Sequence, residues 1–199
     1  MKKASENRRE SYTPDLDSIK LGALVPPTNE WASRRAILQP LMGQSMCALQ
    51  RALRGRRGSA ATLGVVKPRS IDRLVIRRDN PQWSPADLER LLQQPLMGKA
   101  PREPLEKMPV KFTYWYHCED AQCQGHKHRC TDWEMCETYR SWISQYGKED
   151  GERRFRVRFF DEMVERNDTQ FFVGTHSLYP TWMVVGLFYP PKTAQPVML

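Results

Sequence analysis

The sequence predicts an α+β fold: a small mixed or antiparallel sheet packed with helices, with a zinc-stapled loop between a strand and a helix. Three observations predict it. Val110, Phe112, Tyr114 and Tyr116 alternate with Lys111, Thr113, Trp115 and His117, which is the two-residue period of a strand. Residues 131–166 carry apolar side chains at helical spacing in two blocks, and two short apolar runs, 169–174 and 182–189, follow them. Between the alternating strand and the first helix lies a cluster of soft ligands: four of the five cysteines and three of the four histidines fall between His117 and Cys136.

From the N-terminus, residues 1–30 are punctuated by Pro14, Pro26 and Pro27, and only Ile19 to Leu24 reads as a short strand. A helix follows. Thr28 or Asn29 can cap it, and Trp31, Ile37, Leu38, Met42, Met46, Leu49 and Leu53 recur near helical spacing, with Pro40 placed to kink or split it. Gly55-Arg56-Arg57-Gly58-Ser59 breaks the helix. Two strands are expected at Thr62 to Lys67 and Ser70 to Arg77. Ser84-Pro85-Ala86-Asp87 opens a further helix, with proline at the first helical position, running to about Gln94. Pro95, Pro101, Pro104 and Pro109 then mark a linker, which divides a basic N-terminal part, residues 1–109, from an α+β part, residues 110–199.

In the second part, Thr131 or Asp132 can cap a helix reaching Tyr146, with Glu134 at the capping-box position for Thr131. Trp133, Cys136, Tyr139, Trp142 and Ile143 are read as its inner side, so Trp133 and Trp142 are expected to be buried against the final strands. A helix from about Glu152 to Arg166 turns Phe155, Phe159, Phe160 and Met163 inward.

Composition narrows the class. The 199 residues are 40% hydrophobic and 27% charged, which suits a soluble globular chain able to bury a core. No run of about 18 apolar residues occurs, and the charged start has no apolar stretch behind it, so a cytoplasmic address is expected. Thiols stay reduced there, and the cysteines read as ligands or free thiols rather than disulfides.

The net charge of +8 is unevenly spread: residues 1–110 hold 20 Lys/Arg against 11 Asp/Glu, and residues 111–199 hold 11 against 12. It is densest at Arg51, Arg54, Arg56, Arg57, Lys67, Arg69, Arg73, Arg77 and Arg78, with Asp72 the only acid in that stretch. Such a patch, arginine-dominated, fits forked contacts to nucleic-acid phosphates, DNA or RNA, if the 55–58 loop and the 69–78 strand share one surface. The plain alternative is a solvated surface with surplus charge.

Zinc needs four ligands in a tetrahedron. Cys118 at a strand end and Cys123 after a four-residue loop supply one half. The other half must come from His126, His128 and Cys130. As a strand, residues 126–130 would put His126 and Cys130 about 13 Å apart, too far for one ion. A strand leaves His126 with His128 or His128 with Cys130 as the pair; as a loop turning at Gly125, His126 and Cys130 can close the ring, and the preferred set is Cys118, Cys123, His126 and Cys130, with His128 as the substitute. Cys136 reads as a core thiol. A structural ion is expected rather than a catalytic one. The candidate bases Glu119 and Asp120 read as loop acids and Glu134 as part of a helix cap. His176 reads as a loop histidine. There is no phosphate-cradling glycine loop, nucleophile elbow or His-Glu-x-x-His.

Several segments resemble an uncharacterised family of bacterial cytosolic proteins with no assigned activity. They are Ser11-Tyr12-Thr13-Pro14, Trp31-Ala32-Ser33-Arg34-Arg35, Leu63-Gly64-Val65-Val66-Lys67-Pro68, Asp132-Trp133-Glu134, Phe171-Phe172-Val173-Gly174-Thr175 and Gly186-Leu187-Phe188-Tyr189-Pro190-Pro191. Some members are similar in carrying Cys-x4-Cys-x-Gly-His before Asp-Trp-Glu, matching Cys118, Cys123, Gly125 and His126. The resemblance implies no catalytic residue. Three functions fit the sequence: a zinc-stabilised protein that binds nucleic acid without catalysis or joins a nucleic-acid machine, a metal-dependent hydrolase acting on nucleic acid, or a protein-interaction module with incidental charge.

Overall fold

The computed structural model describes residues 2–3, 12–13, 15–55, 60–93, 106–176 and 181–192. Two short strands, β1 (Lys2–Lys3) and β2 (Tyr12–Thr13), pair with each other. The main sheet has six strands: β3 (Leu63–Val66), β4 (Pro68–Arg78), β5 (Val110–Cys118), β6 (His126–Cys130), β7 (Gln170–Thr175) and β8 (Trp182–Phe188). Their spatial order is β3-β7-β8-β6-β5-β4, and every pairing is antiparallel except β6 with β8. The sheet is therefore mixed, as expected of this α+β chain. Strands from both sides of residue 109 share it, so the two parts distinguished by charge contribute to one core.

Alternation decides what each strand buries. On β5, Phe112, Tyr114, Tyr116 and Cys118 are buried, whereas Lys111, Thr113, Trp115 and His117 stand half-exposed on the opposite face. β6 repeats the pattern, with His126, His128 and Cys130 inward and Lys127 and Arg129 outward.

The inner face is covered by helices α4 (Trp133–Tyr146), α5 (Lys148–Arg156) and α6 (Glu162–Glu165), the last two joined by a π turn at Val157–Asp161. Phe112 stacks on Phe155 at 5.0 Å between centroids and meets Tyr139 edge-on at 5.3 Å. Phe155, Phe159 and Met163, four residues apart, are all buried as expected. In an ideal helix residue i+8 drifts about 80° from residue i. The wider π turn takes up that drift and keeps all three on the sheet. The Tyr114 hydroxyl donates to the Phe159 carbonyl at 2.7 Å, fixing the turn to the strand.

The N-terminal cap of α4 is Asp132, whose carboxylate accepts from Met135 N at 2.7 Å and from Leu187 N in β8 at 3.1 Å. This corrects two expectations. Glu134 is not a capping-box acid; it accepts from the Tyr189 hydroxyl. Trp133 is 67% exposed, and the helix instead buries Met135 and Tyr139, with Trp142 and Ile143 half-buried beside them. Residues two apart on a helix lie about 200° apart, and residues nine apart about 180°. Trp133 therefore points away from both Met135 and Trp142.

The helix expected from residue 28 to 53 is divided into α1 (Ala32–Leu38) and α2 (Met46–Gly55). Pro40 falls in a 3-10 turn, Gln39–Leu41, and Gly43 takes φ +90°, a left-handed conformation that ends the run. Residues 19–24 form no strand and are largely exposed. α3 (Pro85–Gln93) starts where expected, with the Ser84 hydroxyl accepting from Asp87 N. α2 lies over the end of the sheet with Met46 and Leu49 buried, and it depends on Gly64. A Cβ on Gly64 would stand 2.7 Å from Leu49 Cδ1. Among the described residues, no helix is long and apolar enough to cross a membrane.

Candidate metal centre

The β5–β6 hairpin brings the predicted ligands together. Cys118 ends β5 on its buried face, and His126 opens β6 on the same face, in register with Tyr116. The loop between them is shaped by Asp120, whose carboxylate accepts from Gln122 N and whose carbonyl accepts from Cys123 N, both at 3.0 Å. Gly125 has φ +92°, and a Cβ there would meet His117 Nε2 at 3.2 Å, so the turn into His126 needs glycine. The amides of Cys118 and Gly125 both point at Cys123 Sγ, at 3.4 Å.

A fourth donor arrives from α2. The Sγ atoms of Cys47, Cys118 and Cys123 lie 3.5, 3.4 and 3.3 Å from His126 Nε2, and the Cys47 and Cys118 sulfurs are 3.6 Å apart. All four donor atoms lie within 4.8 Å of one another. A tetrahedral ion with metal–sulfur bonds of about 2.3 Å and a metal–nitrogen bond of about 2.0–2.1 Å requires donor separations of about 3.5–3.8 Å. The group has that size and can hold a metal ion through three sulfurs and one imidazole.

Electrostatics set the protonation states. Burial, then the hydrogen bond with Cys118, pushes the Cys47 thiol up to about 12. Burial also raises Cys118, but the amides of Cys47 and Asp120 and the neighbouring thiols outweigh it, and the net shift is downward. Burial, followed by nearby His117, holds His126 below the usual histidine range, which favours the neutral ring that a metal ligand requires. Arg51, one turn beyond Cys47, binds Asp120 Oδ2 at 2.7 Å, so α2 grips the loop twice.

Cys130 is not in this group. Residues 126–130 form a strand, and the rise along it carries Cys130 about 13 Å from His126. Cys130 is instead a core thiol, 2% exposed. His128, the substitute ligand, is also outside the group; its Nδ1 lies 3.0 Å from the Tyr116 hydroxyl and its ring stacks on His126. Cys136 is half-buried against the core, and His117 faces outward, 2.9 Å from Asp72. Cys47 escaped sequence reasoning because it lies 71 residues before Cys118. The one local sign was the Cys47/Arg51 pair at i,i+4, which puts a soft ligand and a cation on one side of a helix.

The described arginines of the candidate set do not all share one surface. Arg51 is engaged by Asp120, and Arg54 is exposed on α2. Arg69 lies at a bulge in β4. Arg73 and Arg77 pair with Trp115 and Lys111 on the outer face, whereas Arg78 pairs with Val110 on the other parity of the strand. Arg56 and Arg57 lie outside the described residues, as do Pro95, Pro101 and Pro104 of the expected linker.

Fold and site together define an α+β protein with a Cys3His group able to hold a metal ion. The chain belongs to the family described as a domain of unknown function, DUF8757, whose family model matches residues 42–198. That span begins just before α2 and includes all four donor residues and all six strands of the main sheet. No curated protein and no solved structure matches the chain.

Proposed function

We propose that Cys47, Cys118, Cys123 and His126 bind one structural zinc ion, and that the protein binds nucleic acid without catalysing a reaction on it. The observation that carries the zinc reading is the closeness of four protein donors, all within 4.8 Å. A catalytic zinc keeps one position for water and needs a base beside it. Here four side chains fill a tetrahedron. Of the nearby acids, Asp120 is engaged by Arg51, and Glu119 is exposed in the loop. The metal-dependent hydrolase is therefore the weaker reading. The ion would fasten α2, from the first part of the chain, to the β5–β6 hairpin of the second.

The nucleic-acid reading is supported by the +8 charge and by its concentration in the first 110 residues. Filter binding of zinc-loaded protein to random-sequence DNA and RNA at 50 and 200 mM salt tests it. Retention that falls steeply with salt is the expected result. No retention at low salt would reject nucleic acid and favour a protein partner.

A further inference from the structure

The outer face of β4, β5 and β6 carries a second constellation. Cross-strand register sets out three rows: Arg73, Trp115 and Lys127; then Val75, Thr113 and Arg129; then Arg77 and Lys111. Rows repeat about every 6.8 Å along the strands. Arg73, Arg77, Lys127 and Arg129 are exposed and make no ion pair among the described residues. Lys111 is held by Asp79, which also meets Lys107, and Asp72 at the far end is engaged by His117 and Ser70. The face thus carries four exposed cations without an ion pair among the described residues, flanked by Asp79 at one end and Asp72 at the other.

Trp115 stands on the middle strand of that face, in its first row. Helices cover the other face of β5, but this ring is half-exposed, and its partners are cations from the flanking strands. Arg73 Cζ lies 4.6 Å and Lys127 Nζ 3.9 Å from its ring centroid. A cation over an exposed indole is a modest contact, and a base stacked on the same ring is a stronger one. A base can therefore displace either cation from Trp115, and the released cation meets the adjoining phosphate. One half-exposed aromatic platform among exposed cations on a sheet face is the chemistry of single-strand recognition. A duplex hides its base faces and has no use for the platform.

We propose that the outer face of β4–β5–β6 binds single-stranded nucleic acid, with Trp115 stacking a base and Arg73, Arg77, Lys127 and Arg129 contacting phosphates. This rests on the nucleic-acid reading above and adds the surface and the strandedness. The metal group lies on the inner side of the same hairpin, and Lys127 follows the ligand His126 directly.

The test uses the full, zinc-loaded chain and fluorescence anisotropy with labelled oligo-dT and oligo-rU of 12 nucleotides, a 12-base-pair duplex, and poly-glutamate of matched charge. Single strands should bind more tightly than duplex. Trp115→Ala should weaken single-strand binding by about 5- to 150-fold, and Trp115→Phe should recover most of it. Four phosphate contacts give a slope of about −3 in log affinity against log salt, and the double variant Arg77→Ser/Arg129→Ser should flatten it by about 1.4. Arg153→Ser, on α5, is the control and should match wild type. Zinc content and melting temperature of each variant identify any that fail to fold; the exposed arginine pair keeps the test decisive if Trp115→Ala does. Wild-type binding that neither Trp115→Ala nor the arginine pair alters would overturn this face while leaving nucleic-acid binding intact. Wild-type protein that ignores every oligonucleotide would overturn both readings, and binding to poly-glutamate alone would assign the face to an acidic protein.

Discussion

Cys47 and Cys130 are the two residues on which the metal reading turns. Cys47 Sγ lies 3.5 Å from His126 Nε2, whereas Cys130 projects from the same strand face as His126 but a full strand length away. Cys47→Ser is therefore predicted to lose the metal and with it the fastening of α2, seen as a lower melting temperature. Arg51→Ala, losing only an exposed ion pair, should keep the metal and shift melting far less. The sequence reading found three of the four donors because they are local. Cys130 fits the ion only if residues 126–130 form a loop, and the spacing of the strand they do form excludes it. Cys47 was hidden by sequence distance, since nothing local says that α2 will cross the end of the sheet. The tryptophans invert in the same way. Trp133→Ala, at 67% exposure, should change stability by no more than about 0.5 kcal/mol. Met135→Ala, fully buried on the opposite side of α4, should cost about 2–5 kcal/mol. Urea denaturation of both variants checks the contrast.

At the scale of elements, strands and helix extents were legible wherever alternation or spacing was strong, as in β5, α3, α4 and the Phe155–Phe159–Met163 run. What was not legible was phase. In α4, Trp133 and Trp142 are nine residues apart and so about 180° apart, and only one of them can face the sheet; the buried side is that of Met135 and Tyr139. Asp132 does more than cap: its second oxygen accepts from Leu187 N and so joins α4 to β8. Asp132→Ala leaves two amides without their acceptor and should cost about 1–3 kcal/mol by chemical denaturation. A second brace joins α1 to the sheet. Asp168, just before β7, binds Arg35 of α1 at 2.7 Å and Lys67, between β3 and β4, at 2.8 Å. Burial alone would raise the Asp168 carboxyl, but Lys67 and Arg35 outweigh it and hold it below its ordinary value. A depressed carboxylate stabilises the fold above its unfolded value, near pH 3.9, and the contribution fades as pH falls through the lower folded value. The stability gap between wild type and Asp168→Asn should therefore be constant from pH 7 to 5 and narrow below about pH 4. A gap that widened on acidification would contradict the brace.

Across the whole molecule, charge and fold are organised differently. Positive charge is concentrated before residue 110, but that part supplies both edge strands of the sheet, β3 and β4, around four strands of the second part, and α2 meets the β5–β6 hairpin through the donor group. A boundary drawn from composition could not show this, because pairing between distant strands leaves no local mark. The pairing of edge strand β4 with β5 puts Arg73 and Arg77 of the first part on one face with Trp115, Lys127 and Arg129 of the second. The central claim is that one ion ties the two parts together through Cys47. The most direct measurement is the metal-to-protein ratio, by elemental analysis, of wild type, Cys47→Ser and Cys130→Ser purified side by side. About one zinc per chain in wild type and Cys130→Ser, and little in Cys47→Ser, is the predicted result. Zinc retained by Cys47→Ser and lost from Cys130→Ser, or a metal-free wild type whose melting temperature does not change when zinc is added, would contradict it.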